Sequence, residues 1–202
     1  TRTSGYVNGK LRKSFDAATQ TACDFEVGDS NATTHYTPLN VSFSGMAGSG
    51  TLTVAVKGGS GASATADDHP QIADSGLDSA NSLNRYWMLV PTGGFTFSNA
   101  VLTFTHLNDA ALVDHDNTAN VGRYAIKRLA LSDANCYTGE AGYTGSGSWS
   151  TTTATGTQTV TQTAATGITT FGANCSHFAI GRSAITSFLR EKEFIFQREI
   201  NY

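Results

Sequence analysis

Apolar side chains recur at every second position along much of this chain, and that spacing allows little except β-structure. Leu39, Val41 and Phe43 alternate with Asn40 and Ser42, and Leu52, Val54 and Val56 alternate with Thr51, Thr53 and Ala55. Phe95 and Phe97 alternate with Thr96 and Ser98. A strand sends successive side chains to opposite faces, so this pattern gives each strand an apolar and a polar side. The phase changes at Leu102 and Phe104, and again between Tyr124/Ile126 and Leu129/Leu131, which is what a β-bulge produces. Glycine-rich breaks at Gly45–Gly50, Gly58–Gly61, Gly93–Gly94 and Gly139–Gly147 separate about eleven candidate strands. Helical periodicity is confined to a turn or two around Ile185 to Glu193. The expected fold is all-β: a two-sheet sandwich of jelly-roll or immunoglobulin-like kind with a C-terminal extension strand. Residues 1–181 would form the sandwich domain and 182–202 a charged linker plus strand.

A chain of 202 residues, 39% hydrophobic, can bury one such core. Only 14% of it is charged and the formal net charge is -3, which excludes a basic nucleic-acid binder. Apolar runs such as Trp87-Met88-Leu89-Val90 fall far short of the ~18 residues a membrane-spanning helix needs. From Trp149 onward threonine holds every odd position from Thr151 to Thr163, the pattern of one or two solvent-facing strands bent at Gly156. The chain opens on Thr1 with no basic-then-apolar leader, so either a leader has been removed or the chain is an excerpt of a longer one.

The three cysteines, Cys23, Cys136 and Cys175, form no C-x-x-C pair. Cys136 and Cys175 each follow an asparagine in a polar, glycine-rich stretch, and an oxidising compartment would pair them. Cys23 is then left as a small buried hydrophobe or as the site of an intermolecular disulfide. Sequons stand at Asn31, Asn40 and Asn174 and carry weight only where asparagine is glycosylated.

A set of ordered islands adds to this. Gly5-Tyr6-Val7-Asn8-Gly9-Lys10-Leu11-Arg12-Lys13 is followed by Phe25-Glu26-Val27-Gly28-Asp29 and Tyr36-Thr37-Pro38-Leu39. Further on come Asp68-His69-Pro70, Gly76-Leu77-Asp78, Asn84-Arg85-Tyr86-Trp87 and Asp114-His115-Asp116-Asn117-Thr118. Ala165-Thr166-Gly167-Ile168-Thr169-Thr170-Phe171 and Phe178-Ala179-Ile180-Gly181 close the series. Across residues 5–181 the chain resembles an adhesin-like β-sandwich module of large secreted and surface-exposed bacterial proteins. The resemblance implies an extracellular structural or adhesive role and supplies no catalytic residues. The chain departs from that module in its three cysteines and in Glu26, where the module carries proline.

No H-E-x-x-H, G-x-S-x-G, phosphate-loop or dinucleotide-binding pattern occurs, and glutamate is scarce, so the chain reads as a non-enzyme. The best ligand signal is acidic. Between Gly58 and Gly122 seven aspartates face Arg85 alone, a net charge of -6. Asp114, Asp116, Thr118 and Asn120 take the 1, 3, 5 and 7 spacing of a calcium loop, but Ala119 and Ala125 stand where an EF-hand needs glycine and glutamate. A non-EF Ca²⁺ site and solvated turn residues are the two readings of that stretch. Tyr86 and Trp87 point to opposite faces of one strand, one into the core and the other to a sheet surface.

The last residues form a half-apolar strand, with Phe194, Phe196, Ile200 and Tyr202 on one face and Ile195, Gln197, Glu199 and Asn201 on the other. Burial is worth ~1.5–3 kcal/mol for each such apolar side chain, so the strand needs a partner. It folds back on its own sandwich or completes a neighbour's sheet. Function therefore reads as a secreted building block of a fibre, filament or adhesin, whose partners are copies of itself or other surface proteins. The competing reading is a carbohydrate-binding module that holds glycans and Ca²⁺ at the acidic loops.

Overall fold

The computed structural model describes residues 5–29, 35–58, 69–106, 124–138, 140–155, 162–172 and 174–183. Fourteen strands run through them: β1 (Val7–Asn8), β2 (Leu11–Asp16), β3 (Ala22–Phe25), β4 (Val27–Asp29), β5 (His35–Tyr36), β6 (Leu39–Ser44) and β7 (Ser49–Gly58) come first. After the 3-10 turn Ile72–Ser75 follow β8 (Leu77–Gly93), β9 (Asn99–Thr105), β10 (Tyr124–Leu131), β11 (Gly147–Thr151), β12 (Thr153–Thr155), β13 (Gln162–Ile168) and β14 (Cys175–Ser183). The count exceeds the expected eleven because β1, β4 and β5 are too short to show periodicity and because β11 and β12 divide one threonine-rich stretch.

The fold is an all-β sandwich. A six-stranded sheet in the order β11-β10-β14-β8-β7-β2 packs on a five-stranded sheet in the order β12-β13-β9-β6-β3, with every pairing in both antiparallel. A small sheet, β1-β4-β5, stands beside them. The core forms where the alternating apolar positions predict it. Phe15, Leu52, Val54, Trp87, Leu89, Phe178 and Ile180 from the first sheet meet Phe25, Leu39, Val41, Phe43, Leu102, Phe104 and Ala165 from the second. Trp87 lies edge-on to Phe104 at 5.0 Å, and its indole N–H donates to the Thr37 carbonyl at 3.2 Å.

Two phase changes in the sequence have causes other than bulges. Phe95 and Phe97 belong to the connection between β8 and β9, where Thr96 bridges to Ala47 and the two rings pack on Phe43 at 5.5 and 4.7 Å. Strand β10 is paired without a register shift from end to end. Its change of parity is real burial on both faces: Tyr124 and Ile126 point into the sandwich, while Leu129 and Leu131 are 1% exposed on the opposite side. True register shifts occur between Ala165 and Ile168 and on either side of Gly181.

The two sheets are joined by chain crossings at both flanks. The hairpin from β2 to β3 crosses at one side, with Asp16 bridged to Gln20. At the other, the chain leaves the six-stranded sheet after Thr151 and enters the five-stranded one at Thr153, with the Thr152 amide and hydroxyl both donating to the Ile126 carbonyl at 3.0 and 2.9 Å. The expected bend at Gly156 lies outside the described residues; the break that divides the threonine run is at Thr152. Gly147 opens β11 so close to β10 that a Cβ there would strike the Ala130 carbonyl oxygen. Gly147→Ala is therefore expected to cost about 1–3 kcal/mol of stability, as forced overpacking does; urea denaturation measures it.

Candidate functional site

The outer face of the six-stranded sheet is the least expected part of the molecule. Register places Trp149, Leu129, His177, Met88 and Ala55 in one row across β11, β10, β14, β8 and β7. A polar face would suit such a position in an ordinary sandwich. Here it is apolar, and two segments lie over it: residues 69–76, with the 3-10 turn, and residues 132–138 with 140–146. Ile72 packs with Leu77 and Ala179, Tyr137 against Ala55, Tyr86 and Met88, and Tyr143 against Leu129, Leu131 and the two half-cystines. Of the pair expected to put one ring in the core and one at a sheet surface, Trp87 is in the main core, while Tyr86 on the outer face is 2% exposed beneath this cover, so both are buried.

A disulfide pins the cover. Cys136 and Cys175 are bonded, with Cα atoms 6.0 Å apart, and join the cover to central strand β14. Cys23 is a free, partly exposed thiol on β3 whose Sγ donates to the Asp24 carbonyl at 3.4 Å. Asp133 organises the rest. One of its carboxylate oxygens accepts from the Thr144 hydroxyl at 2.6 Å and the Ser146 amide at 3.1 Å, the other from the Gly145 amide at 2.9 Å and the Thr144 amide at 3.2 Å. Burial pushes its pKa up, but these four hydrogen bonds outweigh burial and hold it below the usual carboxylate value. Gly145 serves this turn with φ 73°, and its carbonyl takes a 2.6 Å hydrogen bond from the Gln71 side chain, which ties the two cover segments together.

Beneath the cover lies a chain of hydrogen bonds whose direction can be worked out. The Gln71 amide donates to His69 Nδ1 at 3.1 Å, so that nitrogen carries no proton. His69 Nε2 then holds the proton and donates to His177 Nδ1 at 2.7 Å. His177 in turn keeps its proton on Nε2 and donates to the Cys136 carbonyl at 2.5 Å. Each step fixes the next tautomer, and the chain closes with both imidazoles neutral. Their environment agrees: burial drives His69 down to about 3 with help from His177, and burial drives His177 down to about 4 against the Cys136 carbonyl and Asp133. Tyr143 stacks on His177 at 5.7 Å, and its hydroxyl donates to the Gln71 side-chain oxygen at 3.2 Å. Tyr86 closes the other side, with its hydroxyl 2.5 Å from that of Thr138 and burial pushing its pKa up to about 12.

Among the described residues, no group of three or more His, Cys, Asp and Glu could hold a metal. The acidic stretch with Asp114, Asp116, Thr118 and Asn120 lies outside the described residues, as do Phe194, Phe196, Ile200 and Tyr202 of the terminal strand. Of the sequons, Asn31 is also outside them. The Asn40 amide donates to Asp24 at 2.7 Å, and the Asn174 amide donates to the Ser132 and Asp133 carbonyls at 2.9 Å. No protein-family model, curated protein or solved structure matches the chain.

Proposed function

We propose that this chain is a non-enzymatic structural and adhesive module of an extracellular or cell-surface assembly, joined to its neighbours through its C-terminal strand. The observation that carries this reading is the Cys136–Cys175 disulfide, 5% and 0% exposed, which braces a sandwich whose larger sheet is covered on its outer face over its central strands. A buried structural disulfide persists in an oxidising compartment, where exported proteins reside. The similarity of residues 5–181 to surface-exposed bacterial modules supports the same compartment and role. No helix among the described residues is long and apolar enough to cross a membrane.

Assembly needs an acceptor edge for the strand bearing Phe194, Phe196, Ile200 and Tyr202. The β2 edge is guarded: Lys13 turns inward there and binds Glu26 at 2.7 Å, a charge that opposes indiscriminate strand pairing. Edge strands β3 and β12 are short, of 4 and 3 residues, so an incoming strand has to match their register closely. Deleting Phe194–Tyr202 is the test, read by electron microscopy, sedimentation and circular dichroism. Loss of polymer from a folded monomer is the expected result. Unfolding of the monomer would show that the strand belongs to its own sandwich, and a full-length chain that stays monomeric would end the assembly reading.

A further inference from the structure

We propose that the His69–His177 pair is an acid-sensitive latch, which holds segments 69–76 and 132–146 on the six-stranded sheet and releases them when it gains a proton. The direction of the hydrogen-bond chain makes it intolerant of charge. A proton added to His177 Nδ1 would confront the Nε2 proton of His69 across 2.7 Å. A proton added to His69 Nδ1 would confront the Gln71 amide at 3.1 Å. Either way a bond between donor and acceptor becomes a clash between two donors, in residues that are 2% and 0% exposed.

The surroundings cannot absorb the charge. Strand β8 offers Tyr86 and β11 offers Trp149, edge-on to His69 at 5.1 Å. Strand β10 offers Leu129 opposite His177. Among the cover groups, Tyr143 and the Cys136 carbonyl are already engaged. Asp133 is the carboxylate whose charge reaches His177, and its oxygens are saturated by Thr144, Gly145 and Ser146. Glu140 is bound to Lys10 at 3.0 Å, and Asp74 is exposed on the 3-10 turn. The next row of the same face carries Lys57 and Lys127 on either side of Tyr86 and Ala179, and their sign opposes an imidazolium.

The sign of the response follows. In the lifted state each imidazole titrates near its ordinary value of 6.5, whereas in the closed state burial holds the two down to about 3 and about 4. The latch is intact above the ordinary histidine value. As pH falls below it, the lifted state takes up protons that the closed state refuses, and opening is favoured up to ~tenfold per pH unit for each histidine. The disulfide keeps the lifted segment tethered to β14.

The buried disulfide is also the reporter. A phosphine reductant, active in acid as well as at neutrality, should reduce Cys136–Cys175 at least ~tenfold faster at about pH 5 than at about pH 7, after correction with an unstructured peptide disulfide. The double variant His69→Gln/His177→Gln keeps donors and acceptors without a titrating group and should flatten that profile. A flat wild-type profile, or a variant that follows the wild type, overturns the proposal. Should the variant fail to fold, imidazole ¹⁵N shifts of the wild-type protein decide. Both rings must remain neutral, protonated on Nε2, for as long as the disulfide stays protected from the reductant, and a ring that titrates near 6.5 in the closed protein overturns the latch.

Discussion

Replacing Cys136 and Cys175 together by alanine is expected to lower the unfolding free energy by about 4 kcal/mol, because the bridge closes a loop with a sequence separation of 39. The loss should appear in urea denaturation at neutral pH as a lower midpoint. The half-cystines pack with Leu129 and Leu131, and alanine keeps that surface apolar, so the main loss comes from the freed unfolded chain. Hydrogen exchange should place the damage first in residues 132–146, whose covalent anchor has gone. A loss under about 1 kcal/mol would mean that Asp133 and the histidine chain hold the cover without the bridge.

Trp87→Ala should cost a similar amount, about 3–5 kcal/mol, for a different reason. Trp87 is fully buried between the sheets against Phe104, and the variant leaves both a cavity and a Thr37 carbonyl without its donor. Trp149→Ala is the control. That indole is only partly buried at the margin of the cover, so its loss should loosen the His69 surroundings and leave the sandwich standing. Denaturant midpoints of the two variants measured together make the comparison.

The sandwich itself was legible because it depends on local alternation: Leu39, Val41 and Phe43, or Leu52, Val54 and Val56, each mark a strand with one buried side. The half-cystines were legible as a pair since each follows an asparagine in a polar, glycine-rich stretch. The cover was not legible, for three physical reasons. Its histidines lie 108 residues apart, and neither has a local pattern that announces the other. Residues Gly139 to Gly147 have turn composition, so Tyr143 reads as a loop residue although it stacks on His177. Third, alternation describes a sheet with one wet face, whereas Tyr86 to Val90 is apolar at every position. That unbroken run, like Tyr124 to Leu131 with its change of parity, was the available sign of a sheet buried on both sides.

The crossing at Thr152 has a mechanical consequence. The ring closed by Cys136 and Cys175 contains β11, which belongs to the six-stranded sheet, and the β12–β13 hairpin, which belongs to the five-stranded one. At that flank a single residue, Thr152, carries the backbone from one sheet to the other, and the bridge closes a covalent ring around that crossing. At the opposite flank the backbone crossing from β2 to β3 is longer, residues 17–21, and the Lys13–Glu26 ion pair and packing such as Phe15 on Phe25 reinforce it. Both sides of the sandwich are stitched by backbone, one tightly by a single residue and one with slack. Under load the sheets gain play first at the longer crossing, next to the free thiol of Cys23.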